Sequence, residues 1–274
     1  MILNWKLFLE ELVGEIPITD IDDYINCIGL STQDKLFFLK KVYCDSIVDF
    51  GCADGNMLYE ISKTKPSIKL AGYDIDDDMI SKASSKLIGK SIITSDWSDI
   101  KNFTKTSKNP LLNLSSVIHE VYSYSSSMEI KRFWEEKVFS GEFKTITIRD
   151  MIPLSNISKN EIENFKHDID KVKSIVYPKY LKSFENRWGI IDDNYRTLVH
   201  FLLKYKYIDN WEREVNENYL PISLETLKKK IPSNYKIVYE DSFILPYLKD
   251  EIKKDFDIEI THTTHTKMII RRND

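Results

Sequence analysis

Carboxylates recur where apolar runs end. Asp49 lies inside the run Ile47-Val48-Asp49-Phe50, Asp74 follows 68–73, Asp96 follows 91–95 and Asp150 follows 143–149. Directly after the first run, Gly51-Cys52-Ala53-Asp54-Gly55 puts two glycines in a tight turn, where positive φ or close backbone approach is required. A strand feeding a glycine turn and then a helix is the geometry of a nucleotide site. Asp74 stands 23 residues beyond Gly51, where Rossmann-like folds place an acid that accepts hydrogen bonds from ribose hydroxyls. Ile75 would then flank an adenine. His119-Glu120 directly follows the run 110–118. An imidazole with an ordinary pKa of about 6.5 suits proton transfer near neutrality, and Glu120 is placed to orient it or to meet a cationic acceptor. A histidine bonded to backbone at a helix start is the plainer role. Asp150 is open to three readings: substrate contact, pairing with Arg149, or capping a turn.

These residues need a scaffold that brings strand ends together. Runs at 46–50, 68–74, 91–97, 110–118 and 143–150 read as five strands. Helical spacing between them (Met57, Leu58, Ile61; Met79, Ile80, Ala83; Ile130, Phe133, Trp134, Val138) makes the first 150 residues an α/β alternation with a parallel sheet. One of Asp76, Asp77 and Asp78 caps the second of those helices. In an open parallel sheet, ligands bind outside the carboxyl ends of the strands. That rule gathers residues 49–55, Asp74, Asp96, Ser115 to Glu120 and Asp150 into one rim. Ahead of it, Trp5, Phe8, Leu9 and Leu12 space out a helix over 3–13, and Ser31 to Asp34 cap another carrying Leu36, Leu39 and Tyr43. Residues 1–45 are expected to lie over the cleft.

After residue 150 the pattern changes. Ile162, Phe165, Ile169, Val172 and Val176 space a long helix, and Tyr195, Leu198, Val199 and Leu202 another. Residues 151–220 carry many aromatics, Trp188 and Trp211 among them, and no strand signal; they read as a helical insertion forming a lid. A helix over 223–231 and strands over 235–240 and 266–271 follow. His262 and His265 invite a metal, but residues three apart in a strand face opposite sides, so no metal is assigned.

The frame G-x-G-x-x-G fails, because Ala53 and Asn56 occupy its second and third glycine positions, and no Gly-Lys-Ser/Thr follows as in a P-loop. Instead Asp49-Phe50-Gly51-Cys52-Ala53-Asp54-Gly55 resembles the first motif of the class I S-adenosylmethionine-dependent methyltransferases, with Ala53 replacing the middle glycine. The resemblance covers roughly 40–150 and 222–272. It implies a Rossmann-like, seven-stranded, mostly parallel sheet closed by an antiparallel hairpin of 235–240 and 266–271, with S-adenosylmethionine as cofactor. It implies cofactor contacts at Asp49, Gly51, Ala53, Asp54, Gly55, Asp74, Ile75 and Ser115. It places Asp96 at the adenine amine and Trp97 against the ring, and sets His119, Glu120 and Asp150 on the acceptor side. The sequence after residue 115 is not the Asn/Asp-Pro-Pro-aromatic form of amino-methylating nucleic-acid enzymes. A small molecule or an RNA is the acceptor class expected, or else a catalytically inactive cofactor-binding subunit.

Composition bounds the rest. The 274 residues carry 39 Lys and Arg against 43 Asp and Glu, a formal net charge of −4. That argues against a dominant phosphate-binding surface and gives no indication of DNA. Three cysteines without C-x-x-C spacing read as reduced thiols. No apolar run approaches a membrane span, and the first residues do not read as a secretion signal. A cytoplasmic methyltransferase is the expectation.

Overall fold

The computed structural model describes residues 32–154 and 165–273. The helix expected over 3–13 lies outside them. Residues 32–150, 229–241 and 267–273 belong to one compact unit, and 151–154, 165–228 and 242–266 to a second.

The first unit is built on a sheet of β1 (Ser46–Phe50), β2 (Lys69–Tyr73), β3 (Ser91–Thr94), β4 (Pro110–Ser115), β5 (Thr145–Asp150), β6 (Tyr235–Phe243) and β7 (His265–Arg272). Their order is β3-β2-β1-β4-β5-β7-β6. The first five are parallel, with Val48 opposite both Ala71 and Leu112. The last two are antiparallel: Thr264 N–H donates to Phe243 O and Asn273 N–H to Asn234 O, so the residue numbers rise on one strand as they fall on the other. β1, β4 and β5 are buried along their whole length, as strands covered on both faces must be. The edge strand β6 instead alternates between buried or half-buried and exposed positions. Ile47, Leu58, Ile61, Leu70 and Leu111 share one apolar cluster, each almost wholly out of water, and each contributes about 1.5–3 kcal/mol by burial.

The expected helix carrying Leu36, Leu39 and Tyr43 shrinks to a single turn, Thr32–Lys35, followed by turns through Lys41. Tyr43 ends up exposed. The helix around Phe133 is two pieces. Ser127–Arg132 is opened by a capping box between Ser126 and Glu129, and Phe133–Val138 winds on as a π-helix.

The second unit is helical: Phe165–Ile175, Pro178–Trp188, Tyr195–Tyr205, and Pro246–Phe256. The last was not anticipated from the sequence; it lies in residues 242–266, which pack in this unit. Pro246 at the first helical turn, buried Leu248, Ile252 and Phe256 at four-residue spacing, and a left-handed Asp257 at the C-cap are the signals that mark it. Trp188 and Trp211 are internal to this unit. Trp211 is buried and donates to Ser183 Oγ at 2.7 Å, while Trp188 donates to Val215 O at 2.6 Å. Both indoles tie neighbouring segments of this unit together.

Candidate functional site

The turn after β1 alternates its backbone handedness. Gly51, Ala53 and Gly55 have φ of 71°, 47° and 76°. For Ala53 this left-handed state carries a steric cost of roughly 1–2 kcal/mol, and its N–H is anchored by Asp74 Oδ2 at 2.8 Å. Gly55 is fixed by crowding as well as by φ, because a Cβ there would come within 3.0 Å of Ala83 Cβ and Leu87 Cδ1. Gly51 N–H and Cys52 N–H both donate to Tyr73 O, at 2.7 and 3.0 Å. The turn thus folds back over the end of β2. Gly72 makes that possible: a Cβ on it would stand 2.6 Å from Cys52 Sγ. Nothing local in the sequence marks Gly72.

A cavity of about 440 Å³ opens at the carboxyl ends of β1, β2 and β4. Phe50, Gly51, Tyr73, Asp74 and Ile75 form one side of it, and Val117, Val121 and Tyr124 another. Ser125, Glu129, Arg132, Phe133, Glu136 and Lys137 complete the wall. Asp74 is buried, with Oδ1 accepting from Ile75 N–H at 2.8 Å and Asp76 N–H at 3.1 Å. With the Ala53 bond, three of the roughly four acceptor sites of a carboxylate are filled, leaving room for one hydroxyl. Burial raises the Asp74 pKa above the ordinary carboxylate value. Ile75 is half exposed beside it.

On the same side, Phe50 and Tyr73 stack tilted with ring centres 4.9 Å apart, and Trp97 meets Tyr73 edge-on at 5.1 Å. Lys137 places its ammonium over these rings, 4.6 Å from the Tyr73 centre and 5.3 Å from those of Phe50 and Trp97. It also donates to Tyr73 Oη at 3.1 Å. Such contacts favour an ammonium held against aromatic faces.

Next to the cavity wall, β4 is followed by another left-handed residue, Ser116, with φ of 56°. The helix Ile118–Tyr124 starts immediately after. Asp150, at the end of β5, supplies its cap: Oδ2 accepts from Val117 N–H at 2.9 Å and Ile118 N–H at 2.6 Å. Oδ1 lies 2.7 Å from His119 Nδ1. Asp150 therefore orients His119 and caps the helix, while Arg149 forms an ion pair with Asp34 at 2.9 Å. His119 and Glu120 are both buried. Neither contributes to the wall of the 440 Å³ cavity.

Beneath the turn, Asp49 joins a polar row running across three strands. Asn113 Nδ2 donates to Asp49 Oδ1 at 3.0 Å and Thr147 Oγ1 to Asn113 Oδ1 at 2.8 Å, along the register Asp49, Asn113, Thr147. Burial pushes Asp49 up to about 7, opposed by the Asn113 bond and by Lys35. Lys35, also buried, is pulled down to about 8 by burial and Arg149, against the fields of Asp49, Asp150 and Glu120. Lys35, Asn113 and Thr147 escaped the sequence reading, since nothing local marks a polar residue in a buried strand as a partner for another strand.

The remaining predicted residues are placed as follows. Asp54 binds Lys86 at 2.6 Å and accepts from Asn56 N–H at 3.2 Å, so it braces the helix start. Asp96 is exposed and caps Trp97–Thr104 through Ser98 N–H at 2.7 Å. Neither Asp96 nor Trp97 reaches the cavity wall, although Trp97 backs its aromatic side. Ser115 is buried, and its hydroxyl makes no hydrogen bond. In the second unit, His262 and His265 each pair through Nδ1 with the preceding threonine hydroxyl, at 3.0 and 2.8 Å. Among the described residues no cluster of three metal-ligating side chains occurs.

No protein-family model matches the chain, and no curated protein matches it in sequence. Solved structures do resemble it. One is the plantazolicin methyltransferase BpumL in complex with a monoazolic desmethylPZN analog and SAH. It is 15% identical over 92% of this chain and 85% of its own, with a TM-score of 0.44. The methyltransferase domain of bacterial CtHen1-C is 13% identical over 89% of this chain and 97% of that one, at 0.43. An O-methyltransferase family protein from Burkholderia thailandensis is 9% identical over 92% and 59%, at 0.48.

Proposed function

We propose that this chain is an S-adenosylmethionine-dependent methyltransferase acting on a small-molecule acceptor. The observation that carries the reading is where the cavity lies. In the order β3-β2-β1-β4-β5-β7-β6 the chain reverses its direction of winding between β1 and β4, and ligands of open α/β sheets bind at that switch point. The cavity occupies that place, with Gly51 from one strand end and Val117 from the other in its wall. The glycine turn without a dinucleotide frame and the closing antiparallel hairpin favour this cofactor over NAD.

The residues present suit the group. The left-handed turn from Gly51 to Gly55 lets a ligand approach main chain closely. Asp74 retains capacity for one ribose hydroxyl, and Ile75 with Val117 and Val121 offers apolar faces to a base. When bound, S-adenosylmethionine supplies an activated methyl and carries its own leaving group, so positioning accounts for most of the catalysis.

On the acceptor side, the Asp150 carboxylate against Nδ1 fixes the His119 ring, and His119 is the candidate base for an acceptor hydroxyl or thiol. The test is a screen of radiolabelled cofactor against cell metabolite and RNA fractions, repeated with His119→Ala. Label is expected in a metabolite fraction. The variant should turn over about 10²–10⁴-fold more slowly with unchanged affinity for S-adenosylhomocysteine. Labelled RNA would overturn the acceptor class, and wild-type turnover in the variant would make His119 structural.

A further inference from the structure

We infer that Lys137 selects the cofactor's base by donating a hydrogen bond to a ring nitrogen of adenine, in place of the acceptor contact to its amine expected from Asp96. This rests on the methyltransferase reading of the cavity.

Asp96, the acid positioned by the resemblance at the adenine amine, faces solvent and spends its carboxylate on a helix cap. The end of the cavity beside Ile75, Phe50 and Tyr73 is supplied instead by Lys137, from the π-helix Phe133–Val138. A π-helix adds a residue to the turn and is frequent at functional sites. Lys137 is also held in place. One proton goes to Tyr73 Oη at 3.1 Å, and three aromatic faces lie within 5.3 Å of the ammonium. An ammonium has three donors and no acceptor, so two remain for a ligand. Adenine presents one amine and three ring nitrogens. A group that only donates cannot receive the amine, whereas N1, N3 and N7 each accept. A base entering beside Ile75 is thus read by a donor.

The experiment titrates S-adenosylhomocysteine and its 1-deaza, 3-deaza and 7-deaza analogues, each with one ring nitrogen replaced by C–H. They are titrated into native protein and into Lys137→Met and Lys137→Gln, with folding verified by thermal melting. In the native protein one analogue should bind roughly tenfold or more weakly than the parent, as for loss of a hydrogen bond to a charged group. In Lys137→Met the parent should lose the same factor and that analogue's deficit should vanish. Lys137→Gln, whose shorter, uncharged side chain withdraws the ammonium from the base, serves the same comparison if the methionine variant does not fold. Equal affinity of all three analogues and the parent for native protein overturns the inference whatever the variants do. So does a deficit that persists unchanged in a folded variant. If native protein binds no S-adenosylhomocysteine at all, the methyltransferase reading itself fails.

Discussion

Each unit buries a network of charged side chains, and the two networks differ in what they face. In the first, Asp49, Lys35, Asp74, His119 and Asp150 cluster where parallel strands end, and a 440 Å³ cavity opens beside them. In the second, Lys204 donates to Glu214 O at 2.6 Å and to Glu217 O, Arg213 pairs with Glu217 at 2.8 Å, and Tyr219 donates to Glu214. His200 accepts from Tyr219 N–H at 3.1 Å. These groups tie residues 211–219 to the helix Tyr195–Tyr205, in an interior where the aromatic rings of Trp188 and Tyr219 close around the lysine. Burial pulls Lys204 down to about 7 and pushes Glu214 up to about 7. Perturbed titration alone would nominate both clusters as active sites. Strand ends, a left-handed turn and an open cavity single out the first; the second is a fastening.

The comparison breaks most sharply at Gly51. Gly51→Val should abolish binding of S-adenosylhomocysteine in a folded protein, because a branched side chain penalises a φ of 71° and blocks the approach to main chain. Calorimetry on a variant that still melts cooperatively checks this, and native affinity would remove the turn from the site. The next effect belongs to the other network. Lys204→Met should cost about 3–5 kcal/mol of stability in denaturant titrations, since it leaves buried partners of the ammonium behind.

That variant also has a pH signature. Lys204 falls from 10.5 to about 7 in the folded state, so between those values the unfolded chain binds a proton that the folded chain does not. Native stability therefore carries a component that rises as pH climbs from 7 to 10.5. Lys204→Met should lack that component, and an unchanged slope would contradict the burial argument. The smallest effect is expected at Asp96. Asp96→Ala should lower stability slightly, through loss of a helix cap, in denaturant titrations while cofactor affinity stays constant; a loss of affinity would bring Asp96 into the base site.

Much of the first unit was legible because its signals are local. The Asp49 to Gly55 turn, the β-branched runs and the acids at their ends are read within a few residues, and the α/β alternation follows from them. What stayed hidden depends on contacts between distant residues. Asn113 and Thr147 acquire meaning only as neighbours of Asp49 across strands, and Gly72 only because Cys52 folds over it. Lys137 is not singled out by the sequence, since its place over Tyr73 depends on a π-helical register that helical periodicity conceals. Trp188 and Trp211 misled in the opposite sense. Aromatic richness is equally the mark of a binding surface and of a core; here Trp211 is core and Trp188 packs half-buried against it.

The central claim is that the cavity between the ends of β1 and β4 takes S-adenosylmethionine. Its most direct test is titration calorimetry of native protein with S-adenosylhomocysteine and, separately, with NAD. Saturable one-to-one binding of S-adenosylhomocysteine with no heat from NAD is the predicted result. Binding of NAD, or of neither ligand at millimolar concentration, would contradict it.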